Sequence, residues 1–182
     1  MAAPRIVETG PDRPPLVLAG REAALVVLSG VLGSDLSAIG PGEAVVGPSA
    51  DLSLLAAGGA ARLLLEERDE PGGAECRSFG GRRLDGAGVA GISGLRVLHR
   101  SPGGVLLRFG PPPGARWLVT GLRSFAVFTG RFLLFEDAAP RPVGAGEWLI
   151  SAEPSRTLPL QAGNDSALAL ALAAPDVRVA LG

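Results

Sequence analysis

The chain has 182 residues, of which 47% are hydrophobic and 19% charged, and its formal net charge is −1. This length is sufficient for one large or two small domains with a buried core. A near-neutral chain without clusters of basic and aromatic residues is not expected to bind nucleic acid or an anionic membrane. No apolar run approaches the roughly 18 residues of a membrane span. The start, MAAPRIVETG, lacks the apolar region of a signal peptide, so we expect a cytoplasmic protein.

Short apolar runs separated by Gly and Pro turns predict strands from the start of the chain. In the first third the expected strands are residues 5–10, 16–18, 24–28, 31–32, 36–39, 44–46, 52–55 and 60–67. Helical propensity competes in the last of these, AARLLLEERDE. We favour a strand because the related run 167–171 alternates in the β manner. Residues 69–94 are rich in Gly and charge and are interpreted as a linker, after which strands resume at 95–99 and 105–109.

An internal repeat is the strongest signal in the sequence. Gly10 and Gly30 recur at an offset of 100, as Gly110 and Gly130. After a four-residue insertion the correspondence continues through Gly40/Gly144, Gly42/Gly146, Glu43/Glu147, Leu54/Leu158 and Gly59/Gly163. The repeat predicts an N-terminal lobe at 1–68 and a C-terminal lobe at 95–182, joined by the linker 69–94.

The order of strand, Gly turn, hairpin, G-x-G-E, strand, turn and strand resembles the cupin superfamily. This resemblance implies an all-β fold, the double-stranded β-helix (jelly roll), here with two cupin-like lobes in a bicupin arrangement. The segment GLRVLHRSPGGVLLRFGPPPGAR is similar to the start of ChrR-like cupin domains. Those anti-sigma factors also have a zinc-binding helical domain. The chain has no matching His/Cys cluster, so an anti-sigma role does not carry over.

The cupin motifs, G-x5-H-x-H-x(3,4)-E-x6-G and G-x5-P-x-G-x2-H-x3-N, place three His and one Glu around a divalent metal. In the second copy these four ligand positions are occupied by Arg116, Leu118, Arg123 and Thr157, and Gln161 stands at the terminal Asn. In the first copy they are occupied by Leu16, Leu18, Ala23 and Ser53. None of these side chains binds Fe, Mn, Ni or Zn in the usual way. We therefore expect no metal site and no cofactor.

On this alignment Arg116 and Arg123 point into the second barrel. A buried, unpaired guanidinium costs several kcal/mol. These arginines therefore pair with Glu136 or Glu147, bind an anionic ligand, or lie in solvent through a one-residue slip of the strand. If the alignment holds, the second barrel is more polar and more open than the first, which is filled with apolar side chains. The expected ligand-binding residues are Arg116, Arg123, Thr157 and Gln161.

Several other side chains are expected to be structural. Trp117 is interpreted as a packing residue or a homodimer contact, and Trp148 as part of the core. Glu43 and Glu147 are expected to form hydrogen bonds within their turns.

Two further side chains could be reactive. His99 is interpreted as a lone, exposed histidine. Cys76 is the single cysteine, so an internal disulfide is excluded. Arg77 beside it could lower the pKa of the thiol, but we favour a bystander thiol.

Three classes of function remain open. The first is a metal-free binding or regulatory module that holds a small anionic ligand or a protein partner. The second is a metal-independent isomerase, epimerase or lyase acting on an anionic substrate. The third is a structural cupin that forms oligomers. An enzyme would need a general acid or base, for which the sequence offers only Glu136, Glu147 and His99. We therefore favour a non-catalytic role and assign no catalytic residue.

Overall fold

The computed structural model describes residues 3–33, 38–69, 75–80, 87–135 and 139–182. The chain divides into two compact units: unit 1 comprises residues 1–84 and 101–103, and unit 2 comprises residues 85–100 and 104–182. The described residues include no helix that is long and apolar enough to cross a membrane. The elements are β1 (Arg5–Thr9), β2 (Glu22–Gly30), β3 (Ala44–Pro48), α1 (Ser49–Ala57), β4 (Ala61–Arg68), β5 (Arg77–Phe79), β6 (Ala87–Val89), β7 (Ile92–Ser101), β8 (Gly104–Phe109), β9 (Arg116–Thr129), β10 (Arg131–Leu134), β11 (Arg141–Gly144), β12 (Trp148–Ile150), β13 (Thr157–Ala162) and β14 (Leu168–Leu181).

Unit 1 contains a five-stranded antiparallel sheet in the order β1-β4-β2-β3-β5. The strand predicted at 60–67 is confirmed as β4. Pairing with β1 on one side and β2 on the other outweighs its helical propensity. Its inward residues Leu63 and Leu65 join an apolar core, against which Leu16 and Leu18 also pack. The expected apolar filling of the first lobe agrees with this core.

The strand predicted at 52–55 is wrong, because Ser49–Ala57 is the helix α1. Its sequence, SADLSLLAA, contains no β-branched residue, and Asp51 in the first turn interacts favourably with the helix dipole. The expected equivalence of Leu54 and Leu158 also fails. Leu54 is 76% exposed on the helix, whereas Leu158 is 3% exposed in β13. Ser53, expected at a ligand position, donates a hydrogen bond to the Ser49 carbonyl within the helix.

The expected linker is partly built into the sheets. In its described part, β5 pairs with β3, and β6 pairs with β7. Residues 16–18 form no strand, and Leu32 and Ile39 form an isolated bridge where a hairpin was expected. The predictions for 34–37, 70–74 and 81–86, and for Glu136, lie outside the described residues.

Unit 2 contains strands in the order β11-β10-β13-β9-β14-β8-β7-β6, and β12 also pairs with β9. The long strand β9 therefore organises the unit, since it pairs with β12, β13 and β14. A chain of edge-to-face ring contacts fills the interior. Phe109 lies 5.9 Å from Trp117 and 5.6 Å from Phe125, and Phe125 lies 5.0 Å from Phe132. The centre of unit 2 is thus a packed apolar core.

The repeat is visible as matching hydrogen bonds. In unit 1, Val27 N donates to Glu43 O at 2.9 Å, Gly42 N to Val27 O at 3.1 Å, and Gly40 N to Glu43 Oε2 at 2.7 Å. In unit 2 the equivalent residues form the same three bonds. Val127 N donates to Glu147 O at 3.0 Å, Gly146 N to Val127 O at 2.9 Å, and Gly144 N to Glu147 Oε2 at 2.6 Å. The turn roles expected of Glu43 and Glu147 are confirmed.

Unit 1 also contains a buried ionic cluster. Arg68 Nε donates to Glu66 Oε1 and Arg68 Nη1 to Glu22 Oε1, both at 2.8 Å. Ser101 Oγ donates to Glu22 Oε1 at 2.8 Å and accepts from Arg68 Nη1 at 3.1 Å. The two carboxylates and the guanidinium are at most 1% exposed, so their mutual hydrogen bonds offset a large desolvation cost.

Two glycines of unit 2 have similar backbone conformations but differ in the space around them. Gly130 (φ 68°) and Gly146 (φ 84°) both have left-handed backbones, which cost a non-glycine residue roughly 1–2 kcal/mol. A Cβ added at Gly130 would lie 2.5 Å from Ser166 O, whereas one at Gly146 would meet no atom within 4 Å. We expect Gly146→Ala to lower the unfolding free energy by about 1 kcal/mol. The loss caused by Gly130→Ala should exceed the loss caused by Gly146→Ala by at least about 2 kcal/mol. Urea unfolding checks this, and equal losses would contradict it.

Glu67 links the stability of unit 1 to pH. Partial burial raises the pKa of its carboxyl. The N–H groups of Ala19 and Gly20 and the Arg5 guanidinium have the opposite effect and outweigh burial, so the pKa lies below its ordinary value of 4.5. Its stabilising contribution is therefore complete above pH 4.5 and is lost as the pH falls through the lower folded-state pKa. We expect Glu67→Gln to unfold with a shallower dependence on pH below 4.5 than the parent chain. Urea midpoints measured across that range test this, and parallel curves would refute it.

Candidate functional site

The direction of side chains on β9 differs from the motif alignment. Trp117 is 1% exposed and Val119 is fully buried, whereas Arg116 and Leu118 are exposed. The inward orientation expected of Arg116 is therefore wrong. The alternative, a one-residue slip that places the Arg116 side chain in solvent, is correct for this residue. Burying the Trp117 ring beside Phe109 is favourable, whereas burying an unpaired guanidinium costs several kcal/mol.

Strand β13 shows the same alternation. Leu158 and Leu160 are buried in the core, while Thr157 is exposed and Gln161 is half-buried on the opposite face. The expected polar interior is therefore wrong for Arg116, Thr157 and Gln161, because the inward positions beside them are occupied by Trp117, Val119, Leu158 and Leu160.

Arg123 lies apart from the other three expected ligand residues. Leu122 pairs with Ala173 and Ser124 with Leu172, so Arg123 is the extra residue of a β-bulge. It is 8% exposed, and its carbonyl accepts a hydrogen bond from Ser151 N at 2.8 Å. Of the four residues, the structure pairs Arg116 with Gln161, and it places Thr157 on the same outer side of the sheet, four residues from Gln161 along β13.

These outward residues belong to a surface that we call the outer face, formed by β10, β13, β9 and the end of β14. Arg116 pairs directly with Gln161, and Gln161 with Leu133. Leu118 pairs with Pro159 and Ala180 and forms the next row, to which Phe135 is attached through its N–H bond to Pro159 O. The third row consists of Thr157, Thr120 and Arg178, with the two threonine hydroxyls 2.6 Å apart.

Two depressions of about 370 Å³ each lie on the outer face. The first, which we call the apolar pocket, is lined by Arg116, Trp117, Leu118, Phe135, Pro159, Leu160 and Gly182. The second, which we call the polar pocket, has the side chains of Arg131, Leu133, Gln161, Asn164 and Asp165 around a floor of Gly130, Ala162 and Gly163. Both volumes are within the range of small-molecule sites.

The outward strand positions of this face are positively charged. Within the described part of the chain, the guanidinium groups of Arg116, Arg131 and Arg178 have no ion-pair or hydrogen-bond partner. No carboxylate stands at the described outward positions of β9, β10 and β13, whereas β14 carries the exposed Asp176 two residues before Arg178. An anionic group beside Arg116 would therefore gain charge-assisted hydrogen bonds without displacing an existing partner.

Sequence reasoning missed Leu118, Phe135 and Pro159 as surface residues. The signal was present in RWLVT, whose alternation fits Trp117 and Val119 inside as well as it fits the motif spacing.

Trp148 is half-buried and lines a smaller surface pocket with Arg141 and Glu147, whereas Leu149 is the core residue of β12. The expected core position of Trp148 is therefore wrong.

The two residues considered for reactivity show no features of a reactive site. Burial raises the pKa of the Cys76 thiol, and the Asp51 carboxylate adds to this shift. The lowering of that pKa by Arg77 is therefore wrong, and a less reactive thiol fits the bystander interpretation. His99 is half-buried within β7, where an exposed side chain was expected.

No protein-family profile matches the chain, and no curated protein matches it. Solved structures are similar in fold. The salicylate 1,2-dioxygenase from Pseudaminobacter salicylatoxidans has a TM-score of 0.61 at 11% identity, covering 98% of this chain and 74% of that one. A cupin 2 conserved barrel domain protein from Leptotrichia buccalis has a TM-score of 0.55 at 11% identity, covering 100% and 80%. Protein Ylba from E. coli has a TM-score of 0.51 at 14% identity, covering 94% and 76%. These likenesses show an all-β, double-stranded β-helix fold.

The inward side chains predict that purified protein retains no transition metal. The described residues contain no group of three His, Cys, Asp or Glu that could hold an ion, and apolar side chains of β9 and β13 such as Trp117, Val119 and Leu158 pack in the core. We expect elemental analysis after mild dialysis to find far less than one equivalent of Fe, Mn, Ni or Zn per chain. One equivalent whose removal unfolds the protein would contradict this expectation.

Proposed function

We propose that this chain, which has the double-stranded β-helix fold of cupin-domain proteins, is a metal-independent binding module with two cupin lobes. Its ligand is an organic anion with an apolar body, held on the outer face of unit 2. The observation that carries this proposal is the exposed Arg116 guanidinium at the edge of the apolar pocket, which has no ion-pair or hydrogen-bond partner among the described residues. The proposal keeps an anionic ligand for Arg116 but moves it from the barrel interior to the sheet surface.

The expected affinity follows from two contributions. Burying about 100 Å² of apolar ligand surface against Leu118, Phe135 and Pro159 contributes roughly 2.5 kcal/mol. Charge-assisted hydrogen bonds from Arg116 contribute roughly 1.5–3 kcal/mol. The loss of translational and rotational freedom on association offsets much of this gain, so we expect a small anion to bind with a Kd on the order of 1 mM or weaker. A larger ligand that also reaches neighbouring residues would bind more tightly.

A binding role fits the apolar pocket better than the isomerase, epimerase or lyase alternative. The described side chains that line this pocket include no carboxylate, histidine or cysteine, and the last residue of the sequence, Gly182, completes the lining. The Glu147 carboxylate accepts a hydrogen bond from Gly144 N at 2.6 Å in its turn, and Glu147 does not line the apolar pocket. A ligand in the apolar pocket therefore meets a cation and apolar surface, but no described general acid or base.

The outer face is also poorly suited to pairing with a second copy of itself. In a two-fold dimer the same patch lies on both sides of the contact. Arg116, Arg131 and Arg178 would then face a surface that also has three guanidinium groups. Like charges brought together in an interface cost several kcal/mol. A homodimer, if formed, would use another surface, and Trp117 is excluded as its contact because it is buried in the core.

Titration with benzoate tests the proposal, and the neutral benzamide serves as the matched probe without charge. We expect benzoate to shift the backbone amide signals of residues 116–118 and 135 in NMR spectra, and benzamide to bind at least about fivefold more weakly. We expect Arg116→Gln to raise the Kd for benzoate about tenfold, which corresponds to about 1.4 kcal/mol.

Arg141→Gln is the control, since it removes an exposed arginine of unit 2 that does not line the apolar pocket. Its Kd for benzoate should equal that of the parent chain. Equal loss in both variants would indicate a general effect of net charge and would overturn the assignment to Arg116. Shifts confined to other parts of the chain would overturn the site.

A further inference from the structure

We infer that the polar pocket is a second subsite that takes a neutral, hydroxyl-rich group such as a sugar ring. The complete ligand is then a conjugate in which an apolar anion is joined to such a group. The anionic half of this inference rests on the proposed function, whereas the polar half stands on separate residues.

The two pockets are neighbours on one face. Gln161 of the polar pocket pairs directly with Arg116 of the apolar pocket, across β13 and β9. Along β13, Pro159 of the apolar pocket and Gln161 are two residues apart, or about 7 Å. On β10, Leu133 lies in the polar pocket and Phe135, two residues on, lies in the apolar pocket. A single ligand of moderate size can therefore reach both depressions.

The side chains of the polar pocket have mixed chemistry. Asp165 repels an anion, and Arg131 repels a cation. Gln161 and Asn164 each offer both donors and acceptors through their amides. A hydroxyl group also donates and accepts, so several adjacent hydroxyls can satisfy all four side chains without bringing a charge. A neutral polyhydroxyl group is the chemical class that matches this set.

Comparison of the two units shows that the fold does not require these polar residues. Val31 of unit 1 stands at the place of Arg131, and the helix α1 replaces the strand β13 that holds Gln161. A Cβ added to Gly59 would press against Val31 O, and a Cβ added to Gly163 would lie 3.1 Å from Arg131 O. Because Val31 and Arg131 are equivalent in the repeat, Gly59 and Gly163 are equivalent too.

The turn that follows these glycines is longer in unit 2. A Cβ on Gly30 would lie 2.8 Å from Ala61 Cα, and one on Gly130 would lie 2.8 Å from Ala167 Cα. Ala61 is two residues after Gly59, whereas Ala167 is four residues after Gly163. Unit 2 thus has two additional residues here, Asn164 and Asp165 in the present alignment, and both line the polar pocket.

The walls of the polar pocket are held together by backbone hydrogen bonds. Gly163 N donates to Arg131 O at 2.8 Å, and Gly114 N donates to Gly163 O at 3.1 Å. The floor residues Gly130, Ala162 and Gly163 have at most one side-chain carbon, which leaves the depression open. A bound ring would therefore meet a preformed surface, and little ordering cost would reduce its affinity.

The test uses the full chain and three probes: benzoate, methyl β-glucoside, and 4-carboxyphenyl β-glucoside, which joins the two. If the pockets are linked subsites, the conjugate binds at least about tenfold more tightly than benzoate, because its second half binds intramolecularly. The amide signals of Gln161, Gly163 and Asn164 should shift with the glucosides but not with benzoate. Asp165→Ala should reduce the tenfold advantage of the conjugate to nearly none.

Asp176→Ala is the control, since this exposed aspartate lines neither pocket, and it should keep the full advantage. If benzoate binds and the conjugate binds no better, the second subsite is refuted and the proposed function stands. If benzoate does not bind but methyl β-glucoside shifts the signals around Gln161, the proposed function fails and the polar subsite stands. If neither probe binds, both are refuted.

Discussion

The structure of unit 2 depends on the direction in which side chains point along β9. Because side chains alternate, a shift of one residue would exchange every inward and outward position. Trp117 settles the choice, since its ring packs edge-to-face on Phe109 within a chain of aromatic contacts that extends to Phe132. Because β9 pairs with β12, β13 and β14, the direction of its side chains also determines which side chains of these strands point inward. The position of Arg116 at the surface is therefore a consequence of core packing several ångströms away.

Sequence reasoning succeeded where local chemistry and the repeat agreed. Gly42 and Glu43 were placed in register with Gly146 and Glu147 because a tight turn restricts both backbone and side chain, and the hydrogen bonds match. It failed where the repeat was extended beyond such turns. Residues 52–55 were predicted as a strand, and Leu54 was matched to Leu158 of β13, although the composition of SADLSLLAA favours a helix. The motif spacing likewise gave Arg116 an inward direction that only the burial of Trp117 corrects.

A filled barrel changes which positions of this fold are free to carry chemistry. When Leu, Val and Phe side chains pack the interior, inward substitutions leave cavities or create overlap, and each costs several kcal/mol. Outward positions on the same strands have no such constraint, while the core beneath keeps them in fixed relative positions. Leu118 and Gln161 therefore combine freedom in sequence with a rigid backbone, which is the combination that a surface site requires.

The exchange of a strand for a helix between the two copies has a consequence for stoichiometry. In unit 2, β13 supplies one wall of both depressions, whereas unit 1 has α1 at the corresponding place in the repeat. The repeat therefore does not give unit 1 a second copy of the proposed site. For the proposed ligand we expect saturation at a single equivalent per chain and a hyperbolic isotherm for an isolated chain. Any sigmoidal response would have to arise from association between chains.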